Sequence, residues 1–444
     1  MRKVIAIILG KIAKQVLKRR DGGSAYPGAL AKKICPDILE VLIRPKLIVA
    51  VTATNGKTST ATIITNMLSQ NGYTVGFNSS GTNTDNGVIT LLIDSCNLKG
   101  QVVKDALVLE VDERHTKEVF KHLQPDYLII GNITRDQAPR NGHLDVVMTA
   151  MKQALNDNMH LIVNGDDPLI NKLTLNHKGK ITYYGVSKNE ASYVKARVTN
   201  LDIAYCPKCH ARLEFKYFHY SNTGDYLCPN GDFKRPKIDY EATKINYRYK
   251  HFYINDQIKL PMQNDILFHI YNTMAAFTLS QLIGLKPEDV IASLKNLSFS
   301  IIRFEKLKLD NRPCTVLSCK NETPNSYDQS LLYIKRHREK KTVVMGFNRV
   351  CSRYTWSDLG WLWDADFEVL KDSNIDKIVC VGKFAYDVAT RLIYAGINTD
   401  DIIICQTLDQ AIKIIRKKTK GPIYAALNFD IVRQFATEVK EVTL

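Results

Sequence analysis

The clearest chemical signal in the sequence comes from six consecutive residues, Thr54, Asn55, Gly56, Lys57, Thr58 and Ser59. They follow an apolar, strand-like run at 47–52 and precede a helical pattern. A strand, a tight Gly-Lys-Thr turn and a helix N-terminus place backbone N–H groups and a lysine around phosphate oxygens, and the threonine hydroxyl can bind magnesium. The general phosphate-loop pattern has a further glycine where this chain has Val51, so the match is incomplete. We expect a nucleoside triphosphate and magnesium at this turn.

A second group of reactive residues is a cysteine cluster. Cys206 and Cys209 are followed after eighteen residues by Cys228, which is the spacing of a zinc ribbon. The second half of the ribbon is incomplete, because Gly231 stands where a fourth cysteine is expected. We therefore predict a structural zinc site with three thiolates, and three residues are candidates for the fourth ligand: His210, His219 and Asp232.

The elements that must position these residues follow an α/β rhythm. Strand-like runs at 47–52, 74–77, 106–111, 127–131 and 161–164 alternate with helical patterns, which predicts a parallel sheet. The stretch 195–260 breaks this rhythm with short alternating runs and suggests a small β-rich insertion. A further α/β pattern follows, with strand-like runs at 342–346, 377–381 and 402–405.

This pattern predicts three regions. Residues 1–45 are an N-terminal amphipathic helix and linker, and residues 46–300 are a central nucleotide-binding domain with its cysteine-rich insertion at about 200–236. Residues 301–444 are a C-terminal α/β domain that resembles a Rossmann fold.

Composition narrows the class of protein. The 45% hydrophobic and 24% charged residues are an ordinary globular mixture, which excludes a disordered or collagen-like chain. Ten cysteines in 444 residues are too few for a disulfide scaffold, so a reducing, cytoplasmic setting is expected. No apolar run approaches the roughly 18 residues that cross a bilayer. The net charge of +16 favours an anionic partner, such as phosphates, nucleic acid or a membrane surface.

The N-terminal segment predicts a basic amphipathic helix. Ile5, Ile8, Ile12 and Val16 recur at helical spacing, with lysines on the other faces and no signal-peptide cleavage site. Most such helices pack their apolar face against the body of the protein, and we expect that here. Peripheral contact with the cytoplasmic face of a membrane is the alternative.

The phosphate loop resembles that of the Mur ligases, which use ATP to join amino acids to peptidoglycan precursors through acyl phosphates. Further residues match that family in order: Glu110 in the place of a magnesium-binding glutamate, the run 132–137, Asn272 in the place of an asparagine that faces adenine, and Arg303 at the entry to the C-terminal domain. The resemblance covers nearly the whole chain and implies a Mur ligase-like fold. It also implies that Lys57, Thr58 and Glu110 activate a carboxylate with ATP and magnesium.

Within that family, the chain resembles the synthetase subunits of lipid II isoglutaminyl synthases. The resemblance rests on Arg135-Asp136-Gln137, the inserted cysteines, Lys320-Asn321 and the run 361–368. It implies amidation of the D-glutamate α-carboxylate of lipid II, with ammonia from a GatD-type class I glutaminase subunit. The seven scattered cysteines form no Cys–His site, so the glutaminase must be another chain. The resemblance further implies that Asp358 orients the catalytic histidine of that partner.

Several residues depart from the family pattern. Ala53 and Ile302 replace glycines, and His269 replaces an asparagine. Asn141 lies in the stretch after Asp136 where ordinary Mur ligases carry a magnesium-binding histidine, and 349–357 is basic and aromatic where an acidic stretch is expected. Two alternatives therefore stay open beside the amidating enzyme. One is a stand-alone ATP-dependent amino acid ligase without a glutaminase. The other is a non-catalytic nucleotide-binding scaffold or a basic nucleic-acid binder. The ligase motifs occur in the order typical of the family, and we therefore expect no nucleic-acid partner.

Overall fold

The computed structural model of the chain describes residues 1–18, 25–78, 82–136, 143–197, 201–297, 304–320, 322–350 and 359–443. Within these residues the chain forms two large sheets, one of nine strands and one of six, and a separate two-stranded sheet. Helices cover both faces of the two large sheets, so the protein is of the α/β class, as the sequence predicts.

The first part of the chain begins with three helices and continues as alternating strands and helices. Its helices are α1 (Arg2–Lys18), α2 (Tyr26–Ile34), α3 (Ile38–Val41), α4 (Lys57–Gln70), α5 (Asp85–Ser95), α6 (Thr116–Phe120), α7 (Leu144–Ala154), α8 (Pro168–Thr174), α9 (Leu267–Leu282) and α10 (Pro287–Lys295). Its strands are β1 (Leu47–Thr52), β2 (Val75–Phe77), β3 (Ala106–Glu110), β4 (Tyr127–Ile130), β5 (His160–Asn164), β6 (Ile181–Val186), β7 (Glu214–Tyr220), β8 (Thr223–Leu227), β9 (Tyr240–Asn246), β10 (His251–Ile254) and β11 (Ile258–Pro261).

The nine-stranded sheet has the order β11-β10-β9-β6-β5-β4-β1-β3-β2. In this order, the seven consecutive strands that begin with β9 and end with β2 run parallel to one another. Strand β10 is antiparallel to both of its neighbours, β9 and β11. The central strands are apolar along their whole length because helices bury them on both faces. One core lies under α1, α2, α5 and α7, and the other lies under α4, α9 and α10. This topology brings the carboxyl ends of β1, β3 and β4 to one edge.

The cysteine-rich insertion is smaller than the sequence rhythm suggests. Only β7 and β8 form a sheet of their own, whereas β9, β10 and β11 extend the main sheet. Strand β9 pairs in parallel with β6, and the hairpin of β10 and β11 follows on its outer edge. The short runs between 240 and 261 therefore belong to the central sheet, because their alternating pattern suits an edge that is covered on one face.

The C-terminal part forms the six-stranded sheet, with the order β12-β13-β17-β14-β15-β16. The hairpin of β12 and β13 is antiparallel, and the other neighbours are parallel. Its strands are β12 (Phe304–Leu309), β13 (Arg312–Cys319), β14 (Lys341–Gly346), β15 (Ile375–Val381), β16 (Ile402–Cys405) and β17 (Ile423–Asn428). Its α-helices are α11 (Pro324–Arg336), α12 (Trp361–Asp364), α13 (Ala385–Tyr394), α14 (Leu408–Lys418) and α15 (Phe429–Thr443), with 3-10 turns at Phe367–Leu370 and Thr399–Asp401.

Helix α1 packs with the opposite face to the one expected. Ala6 and Ile7 are fully buried, and Gly10 lies so close to α5 that a Cβ there would be 3.1 Å from the Ile93 side chain. Ala6 and Gly10 are one turn apart, and their small size lets the two helices approach closely. The large apolar residues that the sequence places on one face remain exposed, so the expectation that they pack on the body is wrong. The segment before residue 46 also contains α2 and α3, where a linker was expected.

No helix among the described residues is long and apolar enough to span a bilayer.

Candidate functional site

The phosphate loop joins β1 to α4, as its sequence predicts. Gly56 adopts φ 87°, in the left-handed region that favours glycine, and α4 begins at the next residue. A Cβ at Gly56 would lie 2.5 Å from Oδ1 of Asn272 on α9, so the position also needs glycine for space. Asn272 Oδ1 accepts a hydrogen bond from the Thr60 hydroxyl at 3.2 Å. Helix α9 therefore rests directly on the loop.

The residues after β4 hold the other side of the loop. The Thr54 N–H donates to the Asn132 carbonyl at 2.9 Å, and the Asn55 N–H donates to Asn132 Oδ1 at 3.0 Å. The Asn132 amide returns a hydrogen bond to the Asn55 carbonyl at 2.8 Å. The Thr134 N–H donates to the Thr54 hydroxyl at 3.0 Å. These bonds fix the start of the loop, and the N-terminus of α4 is the part whose backbone N–H groups can bind a phosphate.

Lys57 is buried at the start of α4 and is surrounded by acidic groups. Its ammonium contacts the Ala53 carbonyl and donates to Glu113 Oε2 at 2.9 Å. Burial disfavours the charged form, but the carboxylates of Glu113, Asp112 and Glu110 outweigh it and raise the pKa of Lys57. The ammonium therefore stays protonated at neutral pH, which is the form that binds phosphate oxygens.

Glu110 ends β3 and lies beside the loop in the sheet. Its register partner on β1 is Val51, and its backbone N–H donates to the side chain of Asn78 at 2.7 Å. The Glu110 side chain is buried, whereas Thr58 in the first turn of α4 is half-buried and Ser59 is buried. A carboxylate at the end of β3 and a hydroxyl at the helix start are the oxygen ligands that magnesium prefers. The two residues fit the predicted magnesium site.

The C-terminal domain reaches across to the loop through one lysine. Lys320, which follows β13, donates to the Thr54 carbonyl at 3.3 Å and forms an ion pair with Asp136. The Thr323 hydroxyl donates to the other oxygen of Asp136. The lysine and the aspartate are 184 residues apart, so this contact depends on the two domains packing together. It places a second cation at the phosphate loop.

The adjacent Arg135 also joins the two domains. Its guanidinium donates to Asp202 Oδ1 at 2.5 Å and lies 3.4 Å from Asp364 Oδ1 on α12. Burial disfavours the charge, but Asp202 and then Asp364 raise the pKa of Arg135. Two adjacent residues thus form ion pairs with the C-terminal domain: Arg135 supplies the cation to Asp364, and Asp136 supplies the anion to Lys320.

Two cavities meet at the phosphate loop. The first lies between the loop and the C-terminal domain, and its lining includes Gly56, Phe268, Ser318 and Lys320. Beside Gly56, Asn272 has a buried amide nitrogen without a hydrogen-bond partner among the described residues. The second cavity is lined by Thr54 and by residues that follow β3 and β4. Its charged lining residues are Asp112, Glu113, Arg114, Arg135 and Asp136.

The three predicted zinc thiols lie together, and Asp232 joins them. One ligand atom from each of Cys206, Cys209, Cys228 and Asp232 lies within 4.8 Å of the others. The Cys209 and Cys228 sulfurs are 3.4 Å apart, close to the separation of about 3.8 Å that follows from Zn–S bonds of about 2.3 Å in a tetrahedron. The donor set therefore fits a tetrahedral metal ion.

The geometry also distinguishes among the three candidates for the fourth ligand. His219 is buried away from the cysteines, with Nε2 3.0 Å from the Val186 carbonyl. His210 is not part of the cluster. Gly231 has φ 79°, a conformation that favours glycine, and this turn brings the next residue, Asp232, to the thiols.

Two predicted site residues, Asp358 and Arg303, lie outside the described residues, as do Ile302, Asn141, Gln137 and Asn321. Sequence analysis missed Glu113 and Thr323 as site residues. Glu113 could have been found from its place three residues beyond Glu110, because side chains that follow a strand of a parallel sheet reach the ligand edge. Thr323 has no such signal, since its role depends on the docking of the C-terminal domain.

Comparisons with known proteins agree with this architecture. Residues 51–202 match the Mur ligase middle domain, and residues 319–430 match the MurT ligase C-terminal domain. The fold is similar to that of a pseudomurein peptide ligase type C from Methanothermus fervidus, with a TM-score of 0.70 and 19% identity. That similarity covers 91% of this chain and 80% of the other. The fold and the phosphate site together define an ATP-dependent ligase of the Mur ligase type.

The sequence relatives narrow the family further. The chain is 28% identical over 407 residues to the Staphylococcus aureus "Lipid II isoglutaminyl synthase (glutamine-hydrolyzing) subunit MurT", which covers 91% of this chain and 90% of the relative. It is 27% identical to the Streptococcus pneumoniae protein of the same name, over 98% of this chain and 96% of that relative. The chain belongs to the MurT branch of the Mur ligase family.

Proposed function

We propose that the chain is the synthetase subunit that amidates the α-carboxylate of D-glutamate in lipid II to D-isoglutamine. The observation that carries the proposal is the phosphate loop between two cavities, one facing the C-terminal domain and one lined by Arg114 and Arg135. The first lies at the phosphate loop with Lys320 in its lining, and we propose that the nucleotide binds there. In the second, the guanidinium groups of Arg114 and Arg135 would bind the substrate carboxylate in exchange for part of their pairing with Asp112, Asp202 and Asp364. The substrate follows from the MurT relatives, which are named as lipid II isoglutaminyl synthase subunits.

The geometry suits formation of an acyl phosphate. A carboxylate is a poor electrophile, and transfer of the γ-phosphoryl group to one of its oxygens creates a good leaving group. Ammonia then attacks the acyl carbon, inorganic phosphate leaves, and the nitrogen loses a proton. Lys57 contacts the Ala53 carbonyl and Lys320 contacts the Thr54 carbonyl, so both ammonium groups can stabilise the charge on the transferring group. Asp136 holds the Lys320 ammonium in place.

Thr58 and Glu110 are the residues that would hold magnesium. When bound, the ion neutralises phosphate oxygens and orients the triphosphate for transfer. Thr54, Asn55, Ser59 and Arg303 complete the nucleotide contacts that we propose. Asn272 anchors the base end through its free amide nitrogen.

The ammonia comes from a separate glutaminase subunit of the GatD type. Among the described residues, every cysteine is either buried, or a member of the proposed metal cluster, so none offers an accessible nucleophile for glutamine. Burial raises the pKa of the thiols of Cys314 and Cys319 to about 12, which keeps them protonated and inert. We propose that Asp358 completes the partner's catalytic site. Because lipid II is anchored in the membrane, we also propose that the complex works as a peripheral protein at the cytoplasmic face.

The direct test is to measure amidated lipid II by mass spectrometry with ATP, magnesium and glutamine. We expect product only when the chain is co-purified with a GatD-type glutaminase, and product from the chain alone when ammonium replaces glutamine. Transfer of an amino acid by the chain alone would instead identify a stand-alone ligase. No ATP-dependent product under either condition would exclude catalysis.

We propose that Asp232 completes a structural zinc site in the insertion. We expect about one zinc ion per purified chain, and we expect Asp232→Ala to weaken zinc retention against a chelator by about tenfold or more because a closed structural site needs four ligands. Asp232→Cys restores the usual ribbon set and should retain zinc at least as well as the natural chain. The measurement is metal analysis after dialysis against graded chelator. Undiminished retention in Asp232→Ala would show that another ligand closes the site.

A further inference from the structure

Helix α1 presents a row of large apolar side chains to solvent. Spacing of about 100° per residue places these residues within an arc of roughly 140°. The row, which we call the outer face of α1, consists of Val4, Ile5, Ile8, Leu9, Ile12 and Val16, with exposed fractions of 38%, 42%, 39%, 40%, 51% and 49%. An isolated exposed leucine or valine is ordinary, but six in a row on one helix are not. The outer face therefore lacks a partner within the described chain.

The charged residues of α1 itself are all basic. The sequence of α1 contains Arg2, Lys3, Lys11, Lys14 and Lys18 and no acidic residue. Helical spacing puts Lys11 along one border of the outer face, where its ammonium also donates to the Asp94 carbonyl at 3.4 Å, and Arg2 along the other border. Lys14, on the inner side, pairs with Asp94 of α5 at 2.6 Å and ties the helix to the domain. An apolar strip with basic borders is the pattern of helices that lie in the interface of an anionic membrane.

A loop beside α1 also exposes apolar side chains. Leu98, Val103 and Ile43 are exposed by 54%, 61% and 57%. The backbone of Ile43 pairs with Gln101 in a parallel bridge, so these residues cluster on the loop 97–103. That loop adjoins the first turn of α1, because a Cβ on Gly100 would lie 3.1 Å from the Lys3 side chain. Helical spacing puts Lys3 opposite the outer face, so this loop forms a separate exposed apolar patch.

We propose that the outer face of α1 docks on an anionic lipid surface. A second copy of the chain is a poorer occupant, because two outer faces in contact would bring two sets of basic borders together without an acidic residue on either helix. A lipid surface buries the apolar strip and accepts the basic borders at the same time. The proposal deepens the proposed function, since lipid II lies in such a surface.

The outer face lies close enough to the site to help deliver a membrane-bound substrate. Helix α1 packs on α5, which is 11 residues or about 16 Å long. At the start of α5, Asp85 lies 4.0 Å from His115, and the preceding residues Glu113 and Arg114 line the carboxylate cavity. Helix α1 contacts the far end of α5 through Gly10 and Lys14. Docking through α1 would therefore hold that cavity at about the length of α5 plus the width of α1, roughly 25 Å, from the lipid headgroups.

The test is co-sedimentation of the full chain with vesicles of phosphatidylcholine, with and without phosphatidylglycerol. We expect binding only to the anionic vesicles, weakened by salt, and a loss of about tenfold or more for the double variant Ile8→Ser and Ile12→Ser. The matched control replaces two exposed isoleucines of the C-terminal domain, Ile393→Ser and Ile404→Ser, and should bind as the natural chain does.

Three results would overturn the proposal. They are equal binding of both double variants, salt-independent binding to neutral vesicles, and a dimer in solution that the α1 variant abolishes. Amidation of lipid II dissolved in detergent separates this proposal from the proposed function. We expect the α1 variant to keep that activity and to lose rate only when lipid II is presented in anionic vesicles. Loss of activity in detergent as well, with the fold intact, would assign α1 to the chemistry and not to docking.

Discussion

Replacing Lys57 with methionine should reduce ATP-dependent amidation by about a thousandfold or more. The ammonium is buried and lies at the loop that surrounds the phosphates, so its loss removes charge stabilisation exactly where the transferring group is most negative. Steady-state rates with saturating ATP, and with ammonium as the nitrogen source, measure this effect without involving the glutaminase. Lys121→Met, at an exposed position of the same domain, is the matched control and should leave the rate unchanged.

The same substitution should lower stability, and this must be separated from the catalytic effect. Lys57→Met leaves the Glu113 carboxylate buried without its cation, and breaking a buried pair in this way costs about 3–5 kcal/mol. Lys57→Met combined with Glu113→Gln should recover much of the stability and none of the activity. The free energy of unfolding from denaturant titration provides the comparison. Recovery of activity in the double variant would show that Lys57 acts only by holding the fold.

Replacing Asp358 with asparagine should abolish glutamine-dependent amidation, by about ten-thousandfold, while ammonium-dependent amidation continues at the natural rate. A carboxylate that orients a catalytic histidine and stabilises its cation contributes on this scale, and asparagine supports the wrong tautomer. The measurement uses the chain with its glutaminase and compares the two nitrogen sources at equal ATP. Asp372→Asn, at an exposed carboxylate of the same domain, is the control and should behave as the natural pair.

Each pattern of results for Asp358 has a separate meaning. Loss of both activities would place Asp358 in the synthetase site or in the fold of its own domain. Retention of both would mean that the partner supplies its own third catalytic residue. Only the selective loss of glutamine use supports a catalytic site that the two subunits share.

Much of the fold follows from short-range patterns. The alternation of apolar runs and helical patterns predicts the parallel sheets, and the observed strands differ from the predicted ones by only one or two residues at their ends, as in Val75–Phe77 and Ile375–Val381. The prediction for 195–260 was partly wrong, because short polar-apolar alternation looks the same in a separate insertion and in strands that extend an existing sheet. The choice between them depends on pairing with β6, which is a long-range contact.

Some features of the functional site can also be predicted from the sequence, and others depend on long-range contacts. The loop from Thr54 to Ser59 and the three thiols of the insertion can be recognised from the sequence because their chemistry depends on neighbours a few residues apart. Three other features cannot be recognised from the sequence, because each depends on how distant segments approach one another. They are the pairing of Lys57 with Glu113, the approach of Asp232 to the thiols and the contact of Lys320 with Asp136.

Helix α1 shows the physical reason most plainly. Its sequence alone determined that it is a basic amphipathic helix, because that follows from a periodicity of about 3.6 residues. Which face is buried was decided by the tertiary structure. The small residues Ala6 and Gly10 allow α5 to approach closely, and this close packing turns the bulky isoleucines outward. Periodicity identifies the faces of a helix, but only the shape of the surface opposite decides which of them is covered.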